Sequence, residues 1–206
     1  MTTPPLTHVL FDADGVIQDL PGAWRDVLLP VLGERSDEFL RRAWKAELPM
    51  LAGEGDLHAM MDALLGEFGQ FVQAAVLHDA ALRAMTQFDD SLRTIAACRV
   101  AGIGVHLGSN QDHVSARHMA SVLGYDGMFD VSAYSCAIGA AKPDPRFFHI
   151  AAERIGVAPA EILFVDDNAQ NVAGAQDAGL QATHWSIHHD QDTLAERLRT
   201  HGIVLD

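Results

Sequence analysis

The sequence has few cysteines, few basic residues and no long apolar run, and each shortage excludes a class of protein. Only Cys98 and Cys136 are cysteines, and no CxxC or Cys/His spacing predicts a zinc site. Two isolated cysteines are typical of a reducing compartment. No stretch approaches the roughly 18 uninterrupted apolar residues of a membrane span. Met1–Thr7 lacks the basic and apolar regions of a signal peptide, so we expect a cytoplasmic protein.

Positive charge is also scarce. Lys and Arg number 14 against 28 Asp and Glu, which gives a formal net charge of −14. Such a chain is a poor candidate for binding nucleic acid or an anionic membrane. An acidic protein that handles an anionic substrate therefore needs local positive charge, from a metal ion or from a placed Lys or Arg. The 206 residues, 49% of them hydrophobic, suffice for a globular domain with a smaller insert.

Short apolar runs alternate with helical patterns in most of the chain. The expected strands are His8–Phe11, Ile103–Leu107, Phe129–Ala133, Ile162–Val165 and Ala182–Trp185. The expected helices are Leu92–Val100, Asp112–Leu123, Pro145–Ile155, Ala169–Ala178 and Thr193–Thr200. This alternation predicts an α/β fold with a parallel sheet covered on both faces.

One segment departs from this alternation. Residues 19–87 carry apolar side chains at helical spacing and few strand signals. We expect an all-helical insert there, with residues 1–18 and 88–206 forming the α/β core. An insert that leaves the core directly after the first strand hangs over the strand ends like a lid.

Two aspartates follow the first predicted strand. Asp12 and Asp14 are separated by one residue and precede Gly15. On an extended chain they point to the same side, and ligands of open α/β sheets bind beyond the carboxyl ends of the strands. Two carboxylates this close repel unless a cation or a proton lies between them, and Mg²⁺ is the expected cation. Taken alone, the pattern also suits a turn.

Polar residues also follow two further predicted strands and occupy one loop. Ser109-Asn110 and Asp166-Asp167 follow the strands, and Lys142 lies in the loop before the helix at Pro145. Each has an ordinary explanation as a helix cap, a solvated lysine or a charged turn. Together they bring carboxylates, a hydroxyl, an amide and one cation to a single sheet edge. That set suits phosphoryl transfer, which depends on positioning and charge stabilisation, with an aspartate available as nucleophile.

The four segments resemble the ordered motifs of the haloacid dehalogenase (HAD) superfamily. They are Asp12-Ala13-Asp14-Gly15-Val16, Ser109-Asn110, Lys142-Pro143-Asp144-Pro145 and Asp166-Asp167-Asn168. The resemblance covers nearly the whole chain and implies a Rossmann-like core with a helical cap between the first and second motifs. Within the family, the motifs resemble those of the phosphatase branch.

The resemblance also implies roles for individual residues. Asp12 resembles the nucleophile, and Asp14 the general acid/base that protonates the leaving alkoxide and then activates water. Ser109 resembles the phosphate-binding hydroxyl, with Asn110 beside it. Lys142 resembles the lysine that steadies both nucleophile and phosphate.

The implied cofactor is Mg²⁺. Asp12 and the backbone carbonyl of Asp14 are its expected ligands at the first motif. Asp167 resembles a direct ligand, and Asp166 a second ligand or one acting through water. Dehalogenases of the family lack an acid/base at the position of Asp14, because halide leaves without a proton.

We therefore expect a Mg²⁺-dependent phosphatase acting on a small phosphorylated metabolite, as a monomer or homodimer. A sugar phosphomutase and a 2-haloacid dehalogenase of the same fold are alternatives. A third is a non-enzymatic, phosphorylation-controlled module like a response-regulator receiver. The motif order disfavours that module, since a receiver's acidic pair precedes its phospho-acceptor and it has no helical insert.

The insert offers candidates for substrate contact but no motif. Trp24 and Trp44 are candidates, although buried tryptophans more often belong to a core. The loop at residues 52–56 is flexible enough to reach a site. Cationic candidates are Arg25, Arg41, Arg42 and Lys45, which solvated helix faces explain equally well. Outside the insert, His106 is expected to be a hydrogen-bonded core histidine.

Overall fold

A computed structural model describes residues 5–205, which form an α/β fold around a parallel sheet. The strands are β1 (His8–Phe11), β2 (Gln18–Asp19), β3 (Thr86–Gln87), β4 (Gly104–Ser109), β5 (Val131–Tyr134), β6 (Ile162–Asp166) and β7 (Gln181–His184). Five of them form the sheet in the order β5-β4-β1-β6-β7, and every neighbouring pair is parallel. The predicted α/β, Rossmann-like architecture is confirmed. Residues 1–4 and Asp206 lie outside the described range. The expectation that Met1–Thr7 is not a signal peptide therefore falls largely on residues that are not described.

Helices lie between the strands and in the segment before β3. They are α1 (Ala23–Leu32), α2 (Ser36–Ala46), α3 (Leu48–Leu51), α4 (Leu57–Glu67), α5 (Ala74–Ala84), α6 (Asp89–Val100), α7 (His113–Ser121), α8 (Tyr125–Met128), α9 (Ser135–Ile138), α10 (Pro145–Ile155), α11 (Ala169–Asp177) and α12 (Leu194–Thr200). Across residues 5–205, no helix combines the length and the apolar character needed to cross a bilayer.

Alternating side chains of β1 build the cores on the two faces of the sheet. Val9 and Phe11 belong to one apolar cluster, which includes side chains of α6, α7 and α12. Leu10 points the other way, into a second cluster with Phe147 and Phe148 of α10. Because β1 is apolar on both faces, a carboxylate is tolerated only where the strand ends.

The helical segment α1–α5 has an apolar cluster of its own, which includes Leu28, Phe39 and Leu65. The chain leaves and re-enters the sheet through a short antiparallel ribbon of β2 and β3. Strands of two residues carry no periodic signal, so the sequence did not predict this ribbon. The division into a core of residues 1–18 and 88–206 and a cap of 19–87 stays a prediction.

Candidate active site

The sheet order brings three of the predicted site residues to one edge. Asp12 directly follows β1, whereas Ser109 and Asp166 are the last residues of β4 and β6. Since β1 lies between β4 and β6, Asp12 is flanked by the other two. The backbone N–H of Asp12 donates to the carbonyl of Val165 at 2.9 Å, which fixes the aspartate beside β6.

A buried lysine joins two of these strand ends. The Nζ of Lys142 lies 2.7 Å from Oδ1 of Asp12 and 2.7 Å from Oδ2 of Asp166. The Lys142 side chain is 1% exposed and that of Asp166 is fully buried, so water screens neither contact well. This lysine supplies the local positive charge that an acidic chain needs at an anion site.

The loop that carries Lys142 is tied to the end of β4 by Asn110. Its Nδ2 donates to the Lys142 carbonyl at 2.9 Å, and its Oδ1 accepts from the Lys142 N–H at 2.8 Å. The amide of Asn110, expected beside the phosphate, is thus used to hold the lysine loop. Gly174 of α11 packs against the same loop, where an added Cβ would lie 2.1 Å from the Pro143 carbonyl oxygen.

Burial and like charge oppose ionisation at this edge. Burial raises the pKa of Asp12 well above its usual value, repulsion from Asp166 adds to the rise, and Lys142 opposes it. Burial disfavours the charge on Lys142, yet the two carboxylates raise its pKa above its usual value. A further cation is therefore electrostatically favourable beside Asp12.

The carboxylates present fit a hard divalent ion. Oxygens of Asp12, Asp166 and Asp167 all lie within 4.8 Å of one another. An all-oxygen donor set of this size matches the preference of Mg²⁺. Gly15 makes the arrangement possible, because an added Cβ there would lie 2.2 Å from Oδ2 of Asp167.

The two aspartates after β6 differ in how they are engaged. Asp166 accepts from the backbone N–H of Asn168 at 2.8 Å and from Nδ2 of Asn171 at 3.1 Å, in addition to Lys142. Within residues 5–205, no hydrogen bond engages the carboxylate of Asp167. Asn168 caps α11 through its side chain, whereas the amide of Asn171 binds Asp166.

Asp14 is held by two glutamines that the sequence did not single out. Nε2 of Gln18 donates to its Oδ1 and Nε2 of Gln111 to its Oδ2, each at 2.9 Å. Gln111 also reaches Oγ of Ser109 at 3.1 Å, linking the first two motifs. Burial raises the pKa of Asp14 despite these two hydrogen bonds. A carboxyl group with a raised pKa is suited to donate a proton.

A cavity of about 170 Å³ opens beside Asp14. Its walls include Trp24 of α1, Leu57 of α4 and His78 of α5, opposite Gln111 of the core. Of the two candidate tryptophans, Trp24 lines this cavity, whereas Trp44 is 52% exposed on the surface. The helical segment therefore forms one side of a chamber next to the catalytic candidates.

A chain of hydrogen bonds fixes the helical segment to the core at this cavity. His58 and His78 are joined at 2.9 Å, and Nε2 of His78 lies 2.9 Å from Oγ of Ser115. The Ser115 hydroxyl donates in turn to Asp112, the N-cap of α7. Burial lowers the pKa of His78, which disfavours the charged form of the ring.

Glu47 also lines the cavity, and burial with repulsion from Asp112 raises its pKa from 4.5 to about 7. Between these values the folded state holds a proton that the unfolded chain releases, so the free energy of unfolding falls as pH rises through this window. Glu47→Gln should therefore raise the free energy of unfolding by about 2–3 kcal/mol at about pH 8. This gain in the free energy of unfolding should vanish near pH 4.5, where the unfolded chain also takes up the proton. Urea unfolding measured at several pH values between about 4.5 and 8 checks it.

The matched control is the exposed Glu153 on α10. Glu153→Gln should change the free energy of unfolding by less than about 0.5 kcal/mol at any pH. A gain from Glu47→Gln that does not vary with pH would contradict the assigned titration.

Other candidates lie away from the cavity. Arg25 pairs with Asp37, and Arg42 with Glu67, on exposed faces of the helical segment. The loop at residues 52–56 packs on α9, where Gly53 approaches the core backbone. The expectation that His106 is hydrogen-bonded is wrong, because both ring nitrogens are buried without a partner among the described residues. The ring instead stacks on His8, with centroids 5.3 Å apart.

Comparison with known proteins gives one family match over most of the chain. The model of the haloacid dehalogenase-like hydrolases matches residues 6–179. A phosphatase of Mycobacterium tuberculosis is 38% identical over 123 residues, which cover 58% of this chain and 56% of that protein. The (S)-2-haloacid dehalogenase 4A of Burkholderia cepacia is 30% identical over 98 residues, covering 47% and 42%. The chain spans about half the length of these curated relatives.

The fold is shared with an HAD-family enzyme of Bacteroides thetaiotaomicron. Its crystal structure superposes with a TM-score of 0.77 over 91% of this chain and 97% of that one, at 19% identity. The same enzyme has been crystallised with magnesium and inorganic phosphate.

Proposed function

Because the chain belongs to the haloacid dehalogenase-like hydrolase family, we propose that it is a Mg²⁺-dependent phosphatase acting on a small phosphorylated metabolite. The observation that carries the proposal is Asp14, a carboxyl group with a raised pKa at the wall of a cavity, two residues after Asp12. An alkoxide leaving group needs a proton and a halide does not. The relative named a phosphatase supports this assignment.

In the proposed first step, a carboxylate oxygen of Asp12 attacks phosphorus and the ester oxygen leaves with the proton of Asp14. The product is an aspartyl phosphate and an alcohol. In the second step Asp14 takes a proton from water, which attacks phosphorus and releases inorganic phosphate from Asp12. Splitting the reaction in this way lowers each barrier.

Lys142 and Ser109 have supporting roles in this proposal. Lys142, 2.7 Å from Asp12, orients the nucleophile and neutralises charge on the phosphoryl oxygens. The buried Ser109 hydroxyl at the end of β4 binds another phosphoryl oxygen. Asn110 acts mainly by holding the Lys142 backbone, with its side chain beside the phosphate site.

Asp12, Asp167 and the backbone carbonyl of Asp14 would hold Mg²⁺, with Asp166 acting through water. The unengaged carboxylate of Asp167 supports its assignment as the direct ligand, since Asp166 already accepts from Lys142 and Asn171. When bound, the ion supplies positive charge that offsets the repulsion between carboxylates and phosphate. The magnesium and phosphate complex of the Bacteroides enzyme supports this cofactor.

We also propose that residues 19–87 are a cap and that residues 1–18 and 88–206 are the catalytic core. The separate apolar cluster of α1–α5 and the ribbon of β2 and β3 support this division. The cavity between Trp24 and Asp14 is then the chamber for the leaving group.

The test is hydrolysis of an aryl phosphate, with 2-chloropropionate as the competing substrate. We expect phosphate release that requires Mg²⁺, falls at least about 100-fold in EDTA and returns when Mg²⁺ is restored. Halide release without phosphatase activity would instead establish a dehalogenase, the activity named in the Burkholderia relative. Transfer of phosphate between two positions of a sugar would indicate a mutase, and a phosphoryl group that persists without turnover a signalling module.

A further inference from the structure

The cavity beside Asp14 is lined by carboxylates without any balancing cation. Asp14, Glu47 and Asp112 all contribute to its walls, and among the described residues that line it none is Lys or Arg. The nearby Lys142 is committed to Asp12 and Asp166. The leaving group of a substrate would therefore enter a chamber of negative potential.

Glu47 is the carboxylate in this chamber that lacks a partner. Asp112 caps α7 and accepts from Ser115, and Asp14 accepts from two glutamines. Within residues 5–205, no hydrogen bond or ion pair engages the Glu47 side chain. A partly buried, unpaired carboxylate is costly to the fold unless a ligand completes it.

The aromatic wall of the chamber also suits a cation. Trp24 lines the cavity together with Glu47 and lies near His78, with ring centroids 5.7 Å apart. His78 is a poor source of positive charge, because burial lowers its pKa and both of its nitrogens are hydrogen-bonded. An indole ring and a carboxylate lining one chamber are a favourable setting for an ammonium group.

Building on the proposed phosphatase function, we propose that the substrate is a small phosphate monoester whose alcohol portion carries a protonated amine, bound by Glu47 and Trp24. The amine forms an ion pair with the partly buried Glu47 carboxylate, where screening by water is weaker than on an exposed surface. A second phosphate or a carboxylate in that position meets Glu47 and Asp112 and is rejected by like charge. A volume of about 170 Å³ exceeds the roughly 30 Å³ share of a water molecule severalfold, which suits a small alcohol.

The test compares three esters of similar size: 2-aminoethyl, 2-hydroxyethyl and carboxymethyl phosphate. At about pH 8, where Glu47 is ionised, kcat/KM should be about tenfold higher for the amino ester than for the hydroxy ester. The carboxy ester should be slower than the hydroxy ester by a similar factor. These comparisons use the wild-type protein with Mg²⁺ and need no variant.

The variant Glu47→Gln tests whether Glu47 is the residue responsible for the preference for the amino ester. It should reduce the amino-to-hydroxy ratio of kcat/KM to within about twofold, because the ion pair with the amine is lost. Glu153→Gln, on an exposed face of α10, should keep the full preference. Because both esters are measured with the same variant, the ratio of their kcat/KM values is independent of any general loss of activity.

Equal kcat/KM values for the amino and hydroxy esters, or a preference for the carboxy ester, would overturn this inference while leaving the phosphatase intact. A preference that survives Glu47→Gln would also overturn it. Failure to hydrolyse any of the three esters and the aryl phosphate would overturn the proposed function, and this inference with it.

Discussion

Asp12→Asn should lower Mg²⁺-dependent hydrolysis of an aryl phosphate by at least about 10³-fold. An amide oxygen is a far weaker nucleophile than a carboxylate, so no covalent phosphoenzyme forms. The fold should survive because Asn has nearly the same shape and Lys142 keeps its contact with Asp166. Steady-state assays, with mass spectrometry of acid-quenched protein, measure both turnover and the phosphoenzyme.

Asp14→Asn is the matched variant, since it keeps the proposed nucleophile, Asp12, and removes the proposed proton donor. It should still form the phosphoenzyme from an aryl phosphate, whose leaving group needs little protonation, and hydrolyse it slowly. Mg²⁺-dependent turnover by Asp12→Asn within tenfold of wild type would refute the role assigned to Asp12.

Replacing Lys142 should have the largest effect on stability. Lys142→Met leaves Asp12 and Asp166 facing each other, buried and without their shared cation. Removing one partner of a buried ion pair costs about 3–5 kcal/mol. We expect a loss of that size in urea unfolding at neutral pH in EDTA. The loss should shrink as pH falls, because protonation removes the repulsion between the carboxyl groups.

Two further variants separate charge from packing. Lys142→Met combined with Asp166→Asn should recover part of the loss, because one buried carboxylate is gone. Lys45→Met, on an exposed face of α2, should change stability by less than about 0.5 kcal/mol. If the double variant is no more stable than Lys142→Met, unpaired charge is not the cause.

The sequence predicted the sheet well because the signal for it is local. Each strand is a short apolar run, and a carboxylate or hydroxyl directly after it marks the sheet edge, as at Asp12, Ser109 and Asp166. The bounds of β1 match the prediction, the ends of the other strands differ by at most two residues, and β4 extends to include Ser109. The convergence of these ends follows from the parallel topology alone.

The residues that the sequence missed depend on packing between distant segments. Gln18 and Gln111 are ordinary polar residues until the fold places both amides on Asp14. From the sequence alone, Glu47 is indistinguishable from a solvated residue of a helix. Only the packing of α1–α5 beside Asp14 places it in the wall of a chamber. Neither spacing nor composition carries information of this kind.

The central position of β1 has a consequence for how the chain folds. His8 pairs with Gly104 on one side and with Ile162 on the other, so both neighbours of β1 lie far along the chain. Closing such large loops is entropically costly and slows folding. During synthesis, β1 is made before both of its neighbours, and it gains the second one only when β6 has emerged. Until then its apolar edges are exposed to unintended pairing, and the helical segment, with its own local core, is free to fold first.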